Sequence, residues 1–325
     1  MKAKNMMGGY TQLDVLKFLL AILILLRHCG QGLFEPSSIF MRIMNVISPL
    51  GVPTFFAVSG FLFFNKERNS NSLWKYVWRV SKLYLVWTII YLPLIIRSYQ
   101  KKGMLNVSGM LDFARQFLFS GSYYHLWFLP SLIVAIIFVY FISKKVDNYK
   151  ILIISVVLFI AGTLVDTYSF LSPVFTWKVY KAIFLTTRNG LFFGIPYVAI
   201  GKIIADNKCE IIKGMMLLSM TAVTLEGYYL SFVVDKTIVN MSLSSLIFVP
   251  TLVGFALNLP PAKIDGKLLR KASTLIFCAH PIAITLIGHF TKGLTGTLMV
   301  LMISVVFSLI GAKLSERTKA LKLLM

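Results

Sequence analysis

Three of the ionisable residues within the first apolar stretch of the chain could take part in chemistry. Asp14, Lys17 and His28 occupy residues 13–34, where most neighbours are leucine or isoleucine. Ionisable side chains inside a membrane-spanning segment are costly and usually functional. A neutral imidazole can take a proton from a hydroxyl group near physiological pH, so His28 is a candidate general base.

An α-helix would place Lys17 and His28 on one face. They are eleven residues apart, which is three turns plus about 20°, and about 16 Å along the axis. Asp14 lies three residues before Lys17 and can pair with it. The alternative is that Asp14 and Lys17 reach one membrane interface, while Arg27 and His28 mark the other.

The composition indicates that membrane-spanning helices hold these residues. Of 325 residues, 57% are apolar and 14% are charged, against about 25% charged in a soluble domain. The net charge is +21, but a mean hydropathy of +0.78 excludes a nucleic-acid-binding protein as its explanation. The aromatic content of 14% excludes disorder. Cys29, Cys209 and Cys278 are widely spaced, which argues against a disulfide framework and a structural zinc site.

Ten stretches approach the length of about 20 apolar residues that a membrane helix needs. They are residues 13–34, 44–64, 83–97, 125–142, 150–167, 183–204, 212–233, 238–258, 273–290 and 294–312. The third is short and is expected to begin nearer Val77. With a cytoplasmic N-terminus, the inside loops hold 21 Lys and Arg residues and the outside segments hold ten, as the positive-inside rule expects. The sequence therefore predicts an all-α, polytopic membrane protein with about ten transmembrane helices and both termini cytoplasmic.

Five motifs occur in the order found in a known family. They are a basic residue eleven positions before a histidine, GVPTFFAVSGFL, RVSK, HLWFL and IFCAHP, at residues 13–28, 51–62, 79–82, 125–129 and 276–281. On these motifs the chain resembles the membrane acyltransferase family 3 from residue 13 to about residue 281. Two positions depart from the family pattern, because Lys17 and Lys82 stand where the family most often has Arg. Lysine keeps the charge but loses bidentate geometry.

The resemblance implies transfer of an acyl group, usually acetyl, from cytoplasmic acetyl-CoA to a hydroxyl group of a glycan. The acceptor would be lipid-linked or at the cell surface, such as a capsule, an O-antigen or a peptidoglycan sugar. The expected location is the bacterial cytoplasmic membrane, with glycan and membrane lipids as partners and with no nucleic acid and no metal. Residues 1–325 are expected to form one membrane domain without a fused soluble domain, so transfer would be direct or through a separate protein.

The donor site is predicted at the cytoplasmic face. Arg79 and Lys82 follow the second span, and their charges suit the phosphates of acetyl-CoA; the alternative is an anchor on anionic lipid. Lys17 would orient His28 or meet the same phosphates, and Asp14 would neutralise Lys17.

The second motif is also assigned to the donor. Ser59 and Gly60 are predicted to line an acyl channel, with tight helix packing as the alternative. Pro53 is expected to break or kink this helix and to open backbone groups into a cavity.

Four residues are predicted to contact the acceptor. His125 and Trp127 begin the fourth span at the outer face, Arg188 lies in the sixth, and His280 precedes Pro281. Aromatic rings stack on sugar faces, and a cation can line the acceptor cavity. The alternative for these residues is anchoring at the membrane interface.

Two other function classes stay open. A transporter or glycan flippase would bind its solute at His28 and Lys17, but it predicts paired, broken helices in two repeats, and no such symmetry is visible. A membrane-embedded binding or sensing domain is the other class, since some relatives serve amino-acid recognition beside a fused enzyme. Glu226, an isolated acid in the seventh span, is either a protonated packing residue or a cavity-lining one.

Overall fold

The computed structural model describes residues 10–33, 39–47, 50–66, 69–171, 178–180, 182, 184–207, 213–233 and 241–325. All regular structure in these residues is helical. The α-helices are α1 Thr11–Leu33, α2 Ile39–Ile47, α3 Gly51–Phe64, α4 Ser70–Lys101, α5 Val107–Phe119, α6 Phe128–Ile142, α7 Asn148–Val165, α8 Ile195–Asn207, α9 Lys213–Val233, α10 Ser245–Asn258, α11 Gly266–Gly288, α12 Gly293–Leu314 and α13 Lys319–Lys322. A π-helical turn, Gly190–Gly194, leads into α8.

The helices identify a membrane protein. Four of the described helices, α4, α7, α11 and α12, are long and apolar enough to cross a membrane. The helices α3, α6 and α10 are shorter and also apolar. The count of about ten spans and the cytoplasmic placement of both termini stay predictions.

Several helix boundaries differ from those predicted, including the starts of α8, α10 and α11. The span predicted at 44–64 is divided into α2 and α3. The span expected near Val77 begins at Ser70, because the Asn69 side chain caps the helix by accepting a hydrogen bond from the Ser72 N–H at 2.9 Å. The helix α5 lies in a region for which no helix was predicted.

Pro53 lies next to the division rather than inside a kinked helix. The helix α3 begins at Gly51, so Pro53 occupies its first turn. Backbone N–H groups in a first turn have no helical acceptor, and proline is tolerated there. The helix α3 therefore continues past Pro53 to Phe64.

Glycines allow α3 and α8 to cross with their backbones in contact. A Cβ atom on Gly60 would lie 2.4 Å from the Val198 carbonyl oxygen, and one on Gly201 would lie 2.0 Å from that of Ala57. Such close approach is possible only without a side chain. The structure thus gives Gly60 the helix-packing role that its motif left open. Ser59 beside it is buried.

The helices α1 and α11 pack against each other in parallel. Near their starts, Asp14 pairs with Arg270. Further along both helices, the rings of His28 and His280 stack. Because the two contacts occur in the same order along both helices, α1 and α11 run in the same direction. Residues of α11 therefore lie beside those of α1 at both ends of the pair.

Glu226 connects α9 to the start of α10. Its carboxylate accepts hydrogen bonds from the backbone N–H groups of Leu243 and Ser244 at 2.6 and 2.8 Å. The hydroxyl groups of Tyr168 and Ser244 donate to it as well. Four donors on two oxygens suit the ionised form, and a negative charge is stabilised at a helix N-terminus. Glu226 is therefore a cap on α10 rather than a protonated packing residue.

Candidate functional site

The carboxylate of Asp14 is held by Arg270, a residue that the motifs did not indicate. Arg270 Nε and Nη2 donate to the two carboxylate oxygens at 2.9 and 2.8 Å. The Asp14 side chain is 2% exposed, whereas that of Arg270 is 50% exposed. Gly266 makes room for the carboxylate, because a Cβ atom there would lie 2.8 Å from Asp14 Oδ2. The predicted local partner, Lys17, is thus replaced by a bidentate partner from α11.

Four charged residues share this end of α1, and we call them the basic cluster: Asp14, Lys17, Arg79 and Arg270. The Lys17 ammonium lies 5.5 Å from the centre of the Phe55 ring. It is within electrostatic range of Asp14, Arg270 and Arg79. Three cations against one carboxylate leave the cluster positive, which suits a phosphate-bearing ligand.

Arg79 and Lys82 lie about one turn apart on α4, and both are exposed. Arg79 lies over the Tyr76 ring at 5.1 Å and contributes to the basic cluster. Lys82 is exposed and lies over the Trp78 ring at 5.8 Å. It is two residues, or about 200°, from the buried Val80. Lys82 therefore faces outward, where the alternative of an interfacial anchor fits its surroundings.

Three histidines from distant motifs meet at the other end, and we call them the histidine cluster: His28, His125 and His280. The ring centroids of His28 and His280 are 5.1 Å apart with an interplanar angle of 23°. Those of His125 and His280 are also 5.1 Å apart. His125 and His280 are buried, and His28 is partly exposed. The predicted base and two predicted acceptor contacts are thus neighbours.

Pro281 determines the orientation of His280. Proline has no N–H, so the Phe277 carbonyl, four residues earlier in α11, lacks its helical donor. His280 Nδ1 lies 2.8 Å from that oxygen and 3.1 Å from the Ile276 carbonyl oxygen. Because a carbonyl only accepts, the proton is assigned to Nδ1, and Nε2 carries a lone pair.

The next carbonyl of α11 orients His125. The Cys278 oxygen accepts a hydrogen bond from the Tyr91 hydroxyl at 2.7 Å and lies 3.1 Å from His125 Nε2. The proton of His125 is therefore assigned to Nε2. Within the described residues, His125 Nδ1 and His280 Nε2 are buried and have no hydrogen-bond partner. Such groups are rare in folded proteins and point to a function.

The histidine cluster is not arranged as a metal site. Among the described residues, no group of three or more His, Cys, Asp or Glu side chains is placed to hold a metal ion. The described thiols, Cys29 and Cys278, are free and buried; Cys209 lies outside the described residues.

A cavity of about 300 Å³ is lined in part by Tyr124, a ring neighbour of His28. Its lining combines amide, hydroxyl, cationic and aromatic groups, from Gln116, Ser120, Gly121, Tyr124, Trp127, Leu185, Thr186 and Arg188. The Tyr124 ring lies 5.2 Å from the His28 ring. The Arg188 guanidinium lies 5.8 Å from the centre of the Trp127 ring. The cavity therefore suits a polar ligand with a flat face.

The turn before α6 places Tyr124, His125 and Trp127. Gly121 has a φ of +84°, and a Cβ atom there would lie 2.4 Å from the Trp127 nitrogen. The adjacent Ser122 is fixed to α4, since its N–H donates to the Tyr84 hydroxyl at 2.8 Å. The Ser122 hydroxyl also forms a hydrogen bond with the hydroxyl group of Thr88 on α4, at 2.7 Å.

A second turn places Arg188. Leu185 has a φ of 63°, which is strained for a residue other than glycine. Asn189 caps the π-helical turn Gly190–Gly194 by accepting hydrogen bonds from two of its N–H groups, at 3.0 and 3.1 Å. Arg188 is thus held between a strained residue and a capped turn, with its side chain against Trp127.

Comparison with known proteins identifies the family. A family model described as an acyltransferase domain matches residues 10–315. The chain belongs to acyltransferase family 3. The resemblance drawn from the motifs is confirmed, and an acyl-transfer role for a helical membrane protein is supported.

The curated relatives carry the names of other enzymes. An amino-acid racemase of Enterococcus faecalis is 31% identical over 210 residues, which cover 61% of this chain and 28% of that protein. Another amino-acid racemase of the same organism is 22% identical over 293 residues, covering 82% and 40%. A serine/alanine racemase of Enterococcus gallinarum is 25% identical over 234 residues, covering 67% and 33%. The matches thus span only 28 to 40% of the length of these relatives. No solved structure gives a significant match.

Proposed function

We propose that the protein transfers an acetyl group from acetyl-CoA, bound at the basic cluster, to a hydroxyl group of a glycan bound in the cavity beside His28. Membership of acyltransferase family 3 supports the transfer. The observation that carries the proposal is the arrangement along α1, which joins a positive cluster to a histidine cluster. Lys17 and His28 lie on one face of this helix, about 16 Å apart along its axis.

The basic cluster matches the donor. Coenzyme A carries its phosphates at one end and its thiol at the end of a long pantetheine arm. Asp14 uses the Nε proton and one Nη2 proton of Arg270. The Nη1 protons and the second Nη2 proton of this half-exposed guanidinium provide a second bidentate edge, a geometry that Lys17 lacks. Phosphates held there would place the start of the pantetheine arm about 16 Å along α1 from His28.

The histidine cluster matches the chemistry. His28 takes the proton of the acceptor hydroxyl as its oxygen attacks the thioester carbonyl. The new C–O bond forms, the C–S bond breaks, and the departing thiolate receives the proton. His28 suits this role because it is partly exposed and contacts Tyr124 of the cavity. By contrast, the unprotonated ring nitrogens of the other two histidines, His125 Nδ1 and His280 Nε2, are buried.

A second candidate function is recognition of a small amino acid. It is favoured by the relatives named as amino-acid and serine/alanine racemases. In that case the cavity beside His28 would hold the amino acid, and no acyl group would move.

Complementation of a knockout tests the first proposal. Base-labile acetyl groups on purified surface polysaccharide are compared for wild type, His28→Ala and the control His289→Ala, whose exposed side chain ends α11. We expect acetylation to be lost with His28→Ala and retained with His289→Ala. Full acetylation by a normally expressed His28→Ala protein overturns the assignment of the base.

Transfer kinetics with purified protein test the donor site. Arg270→Gln should raise KM for acetyl-CoA by about tenfold or more, since a hydrogen bond to a charge is lost. The outward-facing Lys82→Ala is the matched control and should leave KM unchanged. If both variants raise KM for acetyl-CoA equally, the basic cluster contributes only general surface charge and is not a specific donor site. Binding of serine by a protein that transfers no acetyl group would favour the second function.

A further inference from the structure

The cavity beside His28 contains a cation that transfer to a neutral sugar does not require. The Arg188 guanidinium lines the cavity and lies over Trp127. Arg27, on α1 beside His28, is 7% exposed, and its charge repels that of Arg188. The Asp166 carboxylate attracts the Arg188 guanidinium electrostatically. Among these charged groups, Arg188 is the one that lines the cavity itself.

The turn that carries Arg188 provides a second donor. Thr186 Oγ1 accepts a hydrogen bond from the Arg188 backbone N–H at 3.1 Å. The oxygen acts there as an acceptor, so the hydroxyl proton of Thr186 can point to a ligand. Thr186 and Arg188 both line the cavity, and together they offer a hydroxyl and a planar fork to one ligand group. Such a fork matches the two oxygens of a carboxylate or phosphate.

We propose that the ligand of this cavity carries an oxyanion, a carboxylate or a phosphate, which binds Arg188 and Thr186 while a ring or chain of the ligand packs on Trp127 and a hydroxyl group reaches His28. The proposal rests on the proposed function and deepens it, because it makes the acceptor an acidic glycan. The oxyanion is either the carboxylate of an acidic sugar or the phosphate that links a glycan to lipid.

Binding to the full-length protein in zwitterionic nanodiscs, without acetyl-CoA, tests the charge requirement. Glucose and glucuronate differ in one carboxylate and are the first pair of probes. We expect glucuronate to bind about tenfold or more tightly than glucose, and Arg188→Gln to abolish the difference between the two sugars. Arg188→Lys should keep part of the preference, because it keeps the charge but loses the fork.

A matched control lies on α5. Arg115 is an arginine whose guanidinium bonds the Ala182 carbonyl and Asp112 rather than lining the cavity. Arg115→Gln should leave the preference for glucuronate unchanged. Equal binding of the two sugars by wild type, or a preference that survives Arg188→Gln, overturns the proposal.

Two further arms identify the source of the oxyanion and separate this proposal from acyl transfer. Inorganic phosphate that displaces glucuronate at a lower concentration than acetate does assigns the phosphate of a lipid-linked acceptor, and the opposite order assigns the carboxylate. Acetyl transfer is measured separately with neutral and acidic acceptors. Glucuronate binding without any transfer would refute acyl transfer and keep the oxyanion site. Transfer to a neutral glycan by Arg188→Gln at the wild-type rate would support acyl transfer and refute the oxyanion site.

Discussion

The Asp14–Arg270 pair should respond very differently to removal of its two members. In Arg270→Met the carboxylate of Asp14 remains, with only 2% of its side chain exposed. In Asp14→Asn the guanidinium of Arg270 remains, with half of its side chain in contact with the surroundings. The first variant leaves a buried charge without its partner, and the second leaves a charge that water can reach.

The magnitudes follow from this asymmetry. An uncompensated buried charge costs about 3–5 kcal/mol, and the nearby Lys17 offsets part of it, so we expect Arg270→Met to cost about 2–4 kcal/mol. Loss of an ion pair with an exposed partner costs about 0–1 kcal/mol, so Asp14→Asn should cost about 1 kcal/mol. Arg270→Lys, which keeps a charge near Asp14, should fall between the two.

Thiol accessibility provides the assay. Cys29 and Cys278 are free and buried, so a thiol-reactive fluorogenic dye reports unfolding of the purified protein in nanodiscs. A Cys209→Ser background leaves those two thiols as the reporters. Melting temperatures and denaturant midpoints are compared for the three variants and for Lys82→Ala as an exposed-charge control. Equal destabilisation by Arg270→Met and Asp14→Asn, or a larger effect of Asp14→Asn, refutes this reasoning.

The remaining predictions concern Pro281 and Glu226. Pro281→Ala restores a backbone N–H that competes with His280 for the Phe277 carbonyl, so acyl-transfer kcat should fall by about tenfold while the melting temperature holds or rises; unchanged kcat would contradict the role given to the carbonyl. Glu226→Gln removes the charge that caps α10 at Ser244 and should cost about 1–3 kcal/mol in unfolding free energy, measured by the thiol assay. An unchanged melting temperature would show that the cap adds no stability.

Much of the fold follows from hydropathy, and the exceptions have physical causes. Apolar runs identify helices such as α7 and α12 because the membrane requires such runs. The start of α4 was missed because residues 69–76 are polar and aromatic and resemble a loop. Their helical state depends on the Asn69 cap, and the mean hydropathy of a sequence window does not detect a cap. The division between α2 and α3 was missed because both halves are apolar.

The members of the site could be predicted individually, but their contacts could not. His125 and His280 were both identified from motifs, yet 155 residues separate them and motif order carries no distance. Asp14 was assigned to Lys17 because the two are three residues apart, which is the local rule for a helix surface. Its actual partner, Arg270, comes from parallel packing of α1 against α11, a tertiary feature.

That packing also explains why position 270 needs an arginine. Asp14 and His28 are 14 residues apart on α1, about 21 Å, whereas Arg270 and His280 are ten residues apart on α11, about 15 Å. The difference of about 6 Å must be covered by a side chain, because α11 contacts α1 at both ends. Helical side chains extend toward the N-terminus of their helix, and the long guanidinium arm of Arg270 does so here. The ion pair at the basic cluster therefore fixes the register in which His280 meets His28, so a shorter residue at 270 should disturb the histidine cluster as well as the donor site.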